Sequence, residues 1–161
     1  MRLALAALAV LSATLLVPSS ARAGKPTVLG PLTDEGVYYP VLECPGFQVA
    51  NRYVATVFLR YTADRQGNVI RLAGQTWGVD TFVNMSTGKE LASPYHNNTT
   101  IEVPSGEAAV RGVIAKVIVP GVGPIFRDVG RVVVDGDNFT VTAGTHQWID
   151  GDFGALYEAL E

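Results

Sequence analysis

Two runs of β-branched and aromatic residues flank a glycine-containing turn in RVVVDGDNFTVT, residues Arg131–Thr142. Valine, threonine and phenylalanine favour extended backbone, whereas a cluster of Asp, Gly and Asn is typical of a tight turn. A two-residue loop at Gly136 and Asp137 puts glycine first, as a type II′ hairpin prefers. The stretch therefore predicts an antiparallel β-hairpin.

This loop fixes which residues face each other across the hairpin. The predicted pairs are Asp135–Asn138, Val134–Phe139, Val133–Thr140, Val132–Val141 and Arg131–Thr142. One face then carries only apolar side chains, and Val133 is the single apolar residue on the other. A shift of one residue would move polar groups into the core, so the side-chain pattern and the turn predict the same register.

The same alternation recurs along the chain from Val37, with Gly, Asn, Asp and Pro between the stretches. About eight or nine antiparallel strands without a helical crossover predict an all-β fold, either an up-and-down barrel of about eight strands or a β-sandwich. We favour the barrel because closure removes exposed sheet edges. The predicted strands are 37–42, 46–51, 53–62, 68–75, 78–86, 98–103, 108–119, 125–134 and 139–148.

The two ends of this predicted single barrel domain, residues 37–161, differ from its strands. Residues 24–36 are rich in Gly, Pro and Thr and predict an N-terminal arm. At the other end, apolar residues recur at helical spacing after Asp152, a plausible N-cap, which predicts a short C-terminal helix packed on the sheet. The apolar residues are Phe153, Leu156, Tyr157 and Leu160.

The first 23 residues have the features of a cleavable secretory signal peptide. A charged start precedes an apolar run from Leu3 to Val17, and Ala21 and Ala23 supply the small residues that signal peptidase needs. The apolar run is shorter than the roughly 18 to 20 residues of a spanning helix, so we expect a secreted, extracytoplasmic protein without a membrane span after cleavage.

The charge of the processed chain excludes one class of partner. Arg2 and Arg22 are the only charged residues of the signal, so the remainder keeps 10 Lys and Arg against 15 Asp and Glu, a net charge of −5. Nucleic-acid binding needs a positive stripe, and the Lys and Arg residues do not cluster. We therefore expect no nucleic-acid partner.

Cys44 is the single cysteine of the chain, so no intramolecular disulfide can form. Stability must then come from the apolar core. We expect Cys44 to be a buried small apolar residue, with an intermolecular disulfide as the alternative.

Residues Val119–Asp135, followed by Val141–His146, carry a family resemblance. They resemble a group of uncharacterised exported bacterial proteins with a calycin-like or allene-oxide-cyclase-like β-barrel. The resemblance covers mainly the last 45 or so residues and implies a barrel fold. It implies no catalytic residue, because the residues of the plant cyclase do not align onto this chain.

The candidate catalytic residues are Arg127, Asp128 and His146. If the hairpin register continues, His146 faces Arg127 and Asp128 faces Thr145, which places charge and imidazole near one barrel end. This grouping is either a hydrogen-bonded structural cluster or a general acid–base site, as in a cyclase or isomerase.

Aromatic residues supply the candidate ligand-binding positions Tyr53, Trp77, Phe82 and Trp148, with core packing as the alternative role. A small barrel leaves space for one small ligand, so the leading hypothesis is a protein that binds a small apolar or amphipathic molecule. A homo-oligomeric assembly module is a further alternative. Two distant histidines and one cysteine predict no metal site, and we expect no cofactor.

Overall fold

The fold, in a computed structural model that describes residues 25–136 and 138–161, is all-β. Seven antiparallel strands form one sheet, in which each strand pairs with its neighbours in the sequence. Two short helices follow the last strand. The strands are β1 (Thr27–Cys44), β2 (Phe47–Ala63), β3 (Val69–Asn84), β4 (Glu90–Glu102), β5 (Ala108–Val119), β6 (Gly123–Asp135) and β7 (Asn138–His146), and the helices are α1 (Gln147–Asp150) and α2 (Gly154–Leu160).

The strands are fewer and longer than the sequence predicted. The segments 46–51 and 53–62 form the single strand β2, since Asn51 points to the core while Arg52 points outward to Glu90, with 2.6 Å between Nη2 and Oε2. The alternation of faces therefore continues through two polar residues. In the same way, 68–75 and 78–86 merge into β3.

The N-terminal arm was predicted for residues 24–36, and the part of it that the structure describes is mostly strand. β1 begins at Thr27 and pairs with β2 along its length, from Thr27 opposite Tyr61 to Cys44 opposite Phe47. Hydrogen bonds to β2 hold the backbone of this segment in an extended conformation. Its side chains show little alternation, so the sequence did not predict a strand here. The signal peptide predicted for residues 1–23 lies outside the described residues.

One face of the sheet, called here the core face, carries Val49, Phe82, Val117 and Phe126, all buried. The helix α2 covers this apolar cluster with Leu156 and Leu160, both with no exposed surface. Burial of each leucine contributes about 1.5 to 3 kcal/mol, which explains why so short a helix forms.

The C-terminal helix is confirmed, but its predicted cap is wrong. The N-cap residue is Phe153, and the Asp152 carboxylate instead accepts a hydrogen bond from Gln147 Nε2 at 2.9 Å. At the other end, Asn84 Nδ2 donates to the carbonyl of Leu160 at 2.9 Å, which ties the helix to β3. Asp152 thus stabilises the turn after α1 rather than the start of α2.

Glycines align across three neighbouring strands. Gly112, Gly130 and Gly144 face one another on β5, β6 and β7, with φ of 121°, 143° and 102°. A Cβ added to Gly130 would lie 2.0 Å from the Ala143 carbonyl oxygen. Only glycine fits this close approach, and glycine within strands marks a bend in a sheet.

Candidate functional site

A row of polar side chains crosses the core face beside its apolar cluster. Tyr53 pairs with Asp80, and Asp80 pairs with Ser93. Ser93 Oγ accepts a hydrogen bond at 2.8 Å from the backbone amide of Lys116 on β5. The residue before Lys116, Ala115, pairs with Asp128 on β6, and Asp128 pairs with His146 on β7. Paired residues lie on the same face of a sheet, so these side chains form one band. We call Tyr53, Asp80, Ser93, Asp128 and His146 the polar row.

The β1–β4 end of the row broadens into a cluster of tyrosines and carboxylates. The Tyr53 hydroxyl donates to Asp34 Oδ2 at 3.0 Å, and the Tyr53 ring stacks on Tyr38 with 5.1 Å between centroids. On β4, Tyr95 lies opposite Gly78, where a Cβ would come within 2.7 Å of the tyrosine hydroxyl oxygen. The side chains of these tyrosines and aspartates are half-buried. The tyrosine–carboxylate cluster is Asp34, Tyr38, Tyr53, Asp80 and Tyr95.

Burial shifts the acid–base behaviour of the cluster. It raises the pKa of Asp80 to about 6, against the smaller opposing effect of a hydrogen bond from Asn51. Burial and then the negative charges of Asp80 and Asp34 raise the pKa of Tyr95 to about 12. Burial also raises the pKa of Tyr53. At neutral pH the cluster therefore holds neutral phenols beside an aspartate that is close to its titration range.

Asn51 lies at the edge of this cluster, between Tyr38 on β1 and Phe82 on β3. It is 1% exposed, and its Oδ1 atom has no hydrogen-bond partner in the described part of the chain. A buried carbonyl oxygen without a donor costs about 1 to 3 kcal/mol. The fold thus keeps an unused acceptor next to Asp80.

The other end of the polar row is sealed. His146 and Asp128 are 1% and 2% exposed, with 2.6 Å between Nδ1 and Oδ1. His146 Nε2 lies 3.0 Å from the Ala143 carbonyl oxygen, and Asp128 Oδ2 accepts from the amide of Trp148 at 3.2 Å. Burial raises the pKa of Asp128, and the hydrogen bond with His146 lowers it in part. Every ring nitrogen and carboxylate oxygen of the pair has a partner.

The predicted facing of these residues is wrong by one position. The pairs from Asp135–Asn138 to Val132–Val141 are confirmed, but Arg131 faces Ala143 rather than Thr142. Thr142 is the extra residue of a bulge, and its hydroxyl donates to the Arg131 carbonyl at 3.1 Å. The bulge brings His146 opposite Asp128 instead of Arg127. Arg127 is exposed, and its backbone amide donates to Gln147 Oε1 at 2.6 Å.

The four candidate ligand-binding aromatics do not form one site. Tyr53 belongs to the tyrosine–carboxylate cluster. Phe82 is buried in the core, where its ring lies 6.4 Å from that of Trp148. Trp77 lies on the opposite face and stacks on Phe58 at 5.3 Å. The sequence grouped them by residue type, whereas in the fold Phe82 and the helical Trp148 pack together in the core, away from Tyr53 and Trp77.

Two wide grooves lie away from the polar row. One of about 580 Å³ adjoins the β1–β2 turn and is lined in part by Cys44 and Phe47. The other, of about 360 Å³, lies on the face opposite the core and is lined in part by Phe58 and Arg60. Neither groove is lined by a residue of the polar row, so the titratable side chains of the row lie outside both grooves.

Four of the five cluster residues, all except Tyr53, and also Asn51 were missed as candidate site residues in the sequence. Asp80 stands two residues before Phe82, so in a strand whose Phe82 faces the core Asp80 must face it as well. The same parity places Asn51 beside Tyr53. Charged residues are rarely buried, so a carboxylate on the inward face of a strand is a candidate functional group. This position in the strand is the one sequence signal that could have identified Asp80 as a site residue. Asp34 was hidden in the predicted arm, and Tyr95 in a segment predicted as loop.

Within residues 25–136 and 138–161, no group of three or more His, Cys, Asp and Glu side chains is arranged to hold a metal ion. Neither described helix is long and apolar enough to cross a lipid bilayer. Comparison of the chain with family models, with curated proteins and with solved structures gave no match.

Proposed function

We propose that the protein binds a small amphipathic molecule outside the cytoplasm, at the tyrosine–carboxylate cluster. The observation that carries the proposal is that five half-buried aromatic and acidic side chains converge beside an apolar core. Small-molecule sites combine apolar walls with a few placed polar groups, and half-buried side chains leave access for a ligand. The phenol and carboxylate groups would orient the polar end of the ligand.

The proposed site is the interior of a calycin-like barrel, formed by curling of the seven-stranded sheet. Register shifts interrupt four of the six strand pairs, and the aligned glycines on β5, β6 and β7 permit a sharp bend. Bulges and glycines are the features that curve a sheet toward closure. Amide hydrogen exchange tests the proposal, because closure protects consecutive amides of β7, whereas an open edge leaves alternate amides unprotected.

Titration with the neutral fluorophore N-phenyl-1-naphthylamine tests the binding function. We expect a saturable rise in fluorescence, and Tyr53→Ala should weaken binding about tenfold, which corresponds to about 1.4 kcal/mol. Trp77→Ala is the matched control, since it removes a large aromatic ring from the opposite face. Absence of saturable binding, or equal weakening by both variants, would refute the function.

A second candidate function is proton-transfer catalysis of the isomerase or cyclase class, with Asp80 as the acid–base group. It is favoured by the pKa of Asp80, about 6, next to tyrosine hydroxyls that could hold a substrate oxygen. Asp128 and His146 are less suited, because both are buried and fully hydrogen-bonded. Conversion of a β,γ-unsaturated ketone to its conjugated isomer is a suitable assay, in which Asp80→Asn should abolish turnover and His146→Gln should not.

The extracytoplasmic location has its own test. Edman sequencing of the protein recovered from its host should begin at Gly24, after removal of the 23-residue signal. A mature protein that begins at Met1 would contradict secretion by this route. The result is independent of the binding measurements, so location and ligand binding can fail separately.

A further inference from the structure

We propose that the ligand of the tyrosine–carboxylate cluster is a small organic ammonium ion with an apolar body. This inference rests on the proposed binding function and names the chemical class of its ligand. Three observations carry it, namely the charge of the cluster, the unused acceptor of Asn51 and the stacked rings of Tyr38 and Tyr53.

The first observation is an excess of negative charge without a basic partner. The ion pairs found among the described residues are Arg52–Glu90, Arg71–Glu102 and His146–Asp128, and none involves Asp34 or Asp80. The electrostatic influences of neighbouring groups on Tyr53 and Tyr95 also come from acidic groups. The carboxylates of Asp34 and Asp80 therefore give this part of the core face a negative charge, which would attract a cation.

The second observation distinguishes a hydrogen-bond donor from an acceptor. Asn51 Oδ1 is buried without a partner in the described structure, while the amide of the same side chain interacts with Asp80. An ammonium group carries N–H donors and a positive charge, so it can bond to Asn51 Oδ1 and a carboxylate together. A carboxylate or phosphate ligand has only acceptors and would add a further negative charge.

The third observation concerns the apolar part of the ligand. The stacked rings of Tyr38 and Tyr53, with an interplanar angle of 13°, present parallel aromatic surface next to the carboxylates. Aromatic faces attract alkylammonium groups and also contact apolar chains. Phe82 lies beside Asn51 and extends this surface toward the core. A short alkyl chain bearing one ammonium group matches both parts of the site.

Isothermal titration calorimetry at pH 7.5 with hexylamine, hexanol and hexanoate tests the inference, because these probes share one alkyl chain. We expect hexylammonium to bind about tenfold more tightly than hexanol, and hexanoate not to bind. Asp80→Asn and Asp34→Asn should each weaken hexylammonium about tenfold and weaken hexanol much less, because the hydroxyl group of hexanol carries no charge. Glu35→Gln is the matched control, since it removes the same charge from the exposed neighbour of Asp34.

The outcomes separate the ligand class from the binding function. Hexanol binding that equals or exceeds hexylammonium binding and is lost in Tyr53→Ala would overturn the ammonium class and leave the function standing. An equal loss in Glu35→Gln would also overturn the ammonium class, because it indicates attraction by net charge. Failure of all three probes, together with failure of the neutral fluorophore, would overturn both proposals.

Discussion

Asp128 on β6 and His146 on β7 face each other across the sheet, joined by a 2.6 Å contact between Oδ1 and Nδ1. A uniform register from the Gly136 turn would instead place Asp128 opposite Thr145. The single extra residue Thr142 makes the difference, because a bulge reverses the side-chain parity of the strand beyond it. A local backbone irregularity thus creates the buried contact between Asp128 and His146.

Removal of His146 should destabilise the protein strongly. In His146→Ala the Asp128 carboxylate remains buried with only the Trp148 amide as a partner. Breaking a buried pair in this way costs about 3 to 5 kcal/mol. Urea unfolding followed by tryptophan fluorescence measures the loss, and the double variant with Asp128→Asn should recover part of it because the uncompensated charge is gone.

The exposed pair of Arg71 and Glu102 is the control for this experiment. Its 2.9 Å contact joins side chains that are 56% and 46% exposed. Glu102→Gln should therefore cost less than about 1 kcal/mol. If His146→Ala and Glu102→Gln lower the free energy of unfolding by similar amounts, the contact between Asp128 and His146 contributes no more to stability than an exposed pair.

The hairpin shows how far the sequence predicts the fold. Side-chain alternation and a glycine turn were sufficient for the pairing from Asp135–Asn138 to Val132–Val141. They were insufficient beyond it, because Thr142 suits a regular strand and a bulge equally well. The bulge lies close to the tight approach of Gly144 to Gly130 and precedes the buried His146, and local periodicity predicts neither of these contacts.

The site was harder to predict than the fold. Of the tyrosine–carboxylate cluster only Tyr53 was selected in advance, because Asp34 and Tyr95 lie in segments that were not predicted as strand. Short polar stretches gain extended structure from partners distant in the sequence, such as β1 from β2. Asp80 is different, since its parity with Phe82 already predicts an inward carboxylate.

Asp80 should make the protein less stable at neutral pH than at mildly acidic pH. Its pKa is about 6 in the folded protein, above the ordinary value of 3.8. The stability contributed by its protonated form is therefore complete below pH 3.8 and is lost as the pH rises through 6. Asp80→Asn should increase the free energy of unfolding at pH 7.5 by up to about 3 kcal/mol.

The pH profile gives this prediction its control. At pH 4 the wild-type carboxyl is protonated in the folded state, so Asp80→Asn should bring little gain there. Glu35→Gln removes a carboxylate from the exposed side of β1 and should change stability little at either pH. A gain in Asp80→Asn that does not depend on pH would contradict the burial of an ionised Asp80.

Gly130 and Gly154 should respond oppositely to alanine. A Cβ on Gly130 would lie 2.0 Å from the Ala143 carbonyl oxygen, and its φ of 143° disfavours any side chain. Gly154 begins α2 and has no atom near its Cβ position. Gly154→Ala should therefore stabilise the protein by about 0.4 to 1 kcal/mol, whereas Gly130→Ala should destabilise it by more than that. Thermal unfolding of both variants by circular dichroism measures the difference, and similar changes in both would refute the close approach of β6 and β7.

Cys44 should report the docking of helix α2. The thiol is buried in the core cluster with Leu156 and Leu160, which confirms the predicted burial of this cysteine. Burial and then the nearby Glu161 carboxylate raise its pKa, so the reactive thiolate is scarce.

The folded protein should react slowly with 5,5′-dithiobis(2-nitrobenzoate), and in urea one equivalent should react at once. Leu156→Ala, which costs about 2 to 5 kcal/mol, should speed the reaction of the folded protein by loosening α2, whereas Ile149→Ala on the exposed side of α1 should not. Rapid reaction of the wild type would show that the Cys44 thiol is accessible, either beneath α2 or from the groove that Cys44 lines.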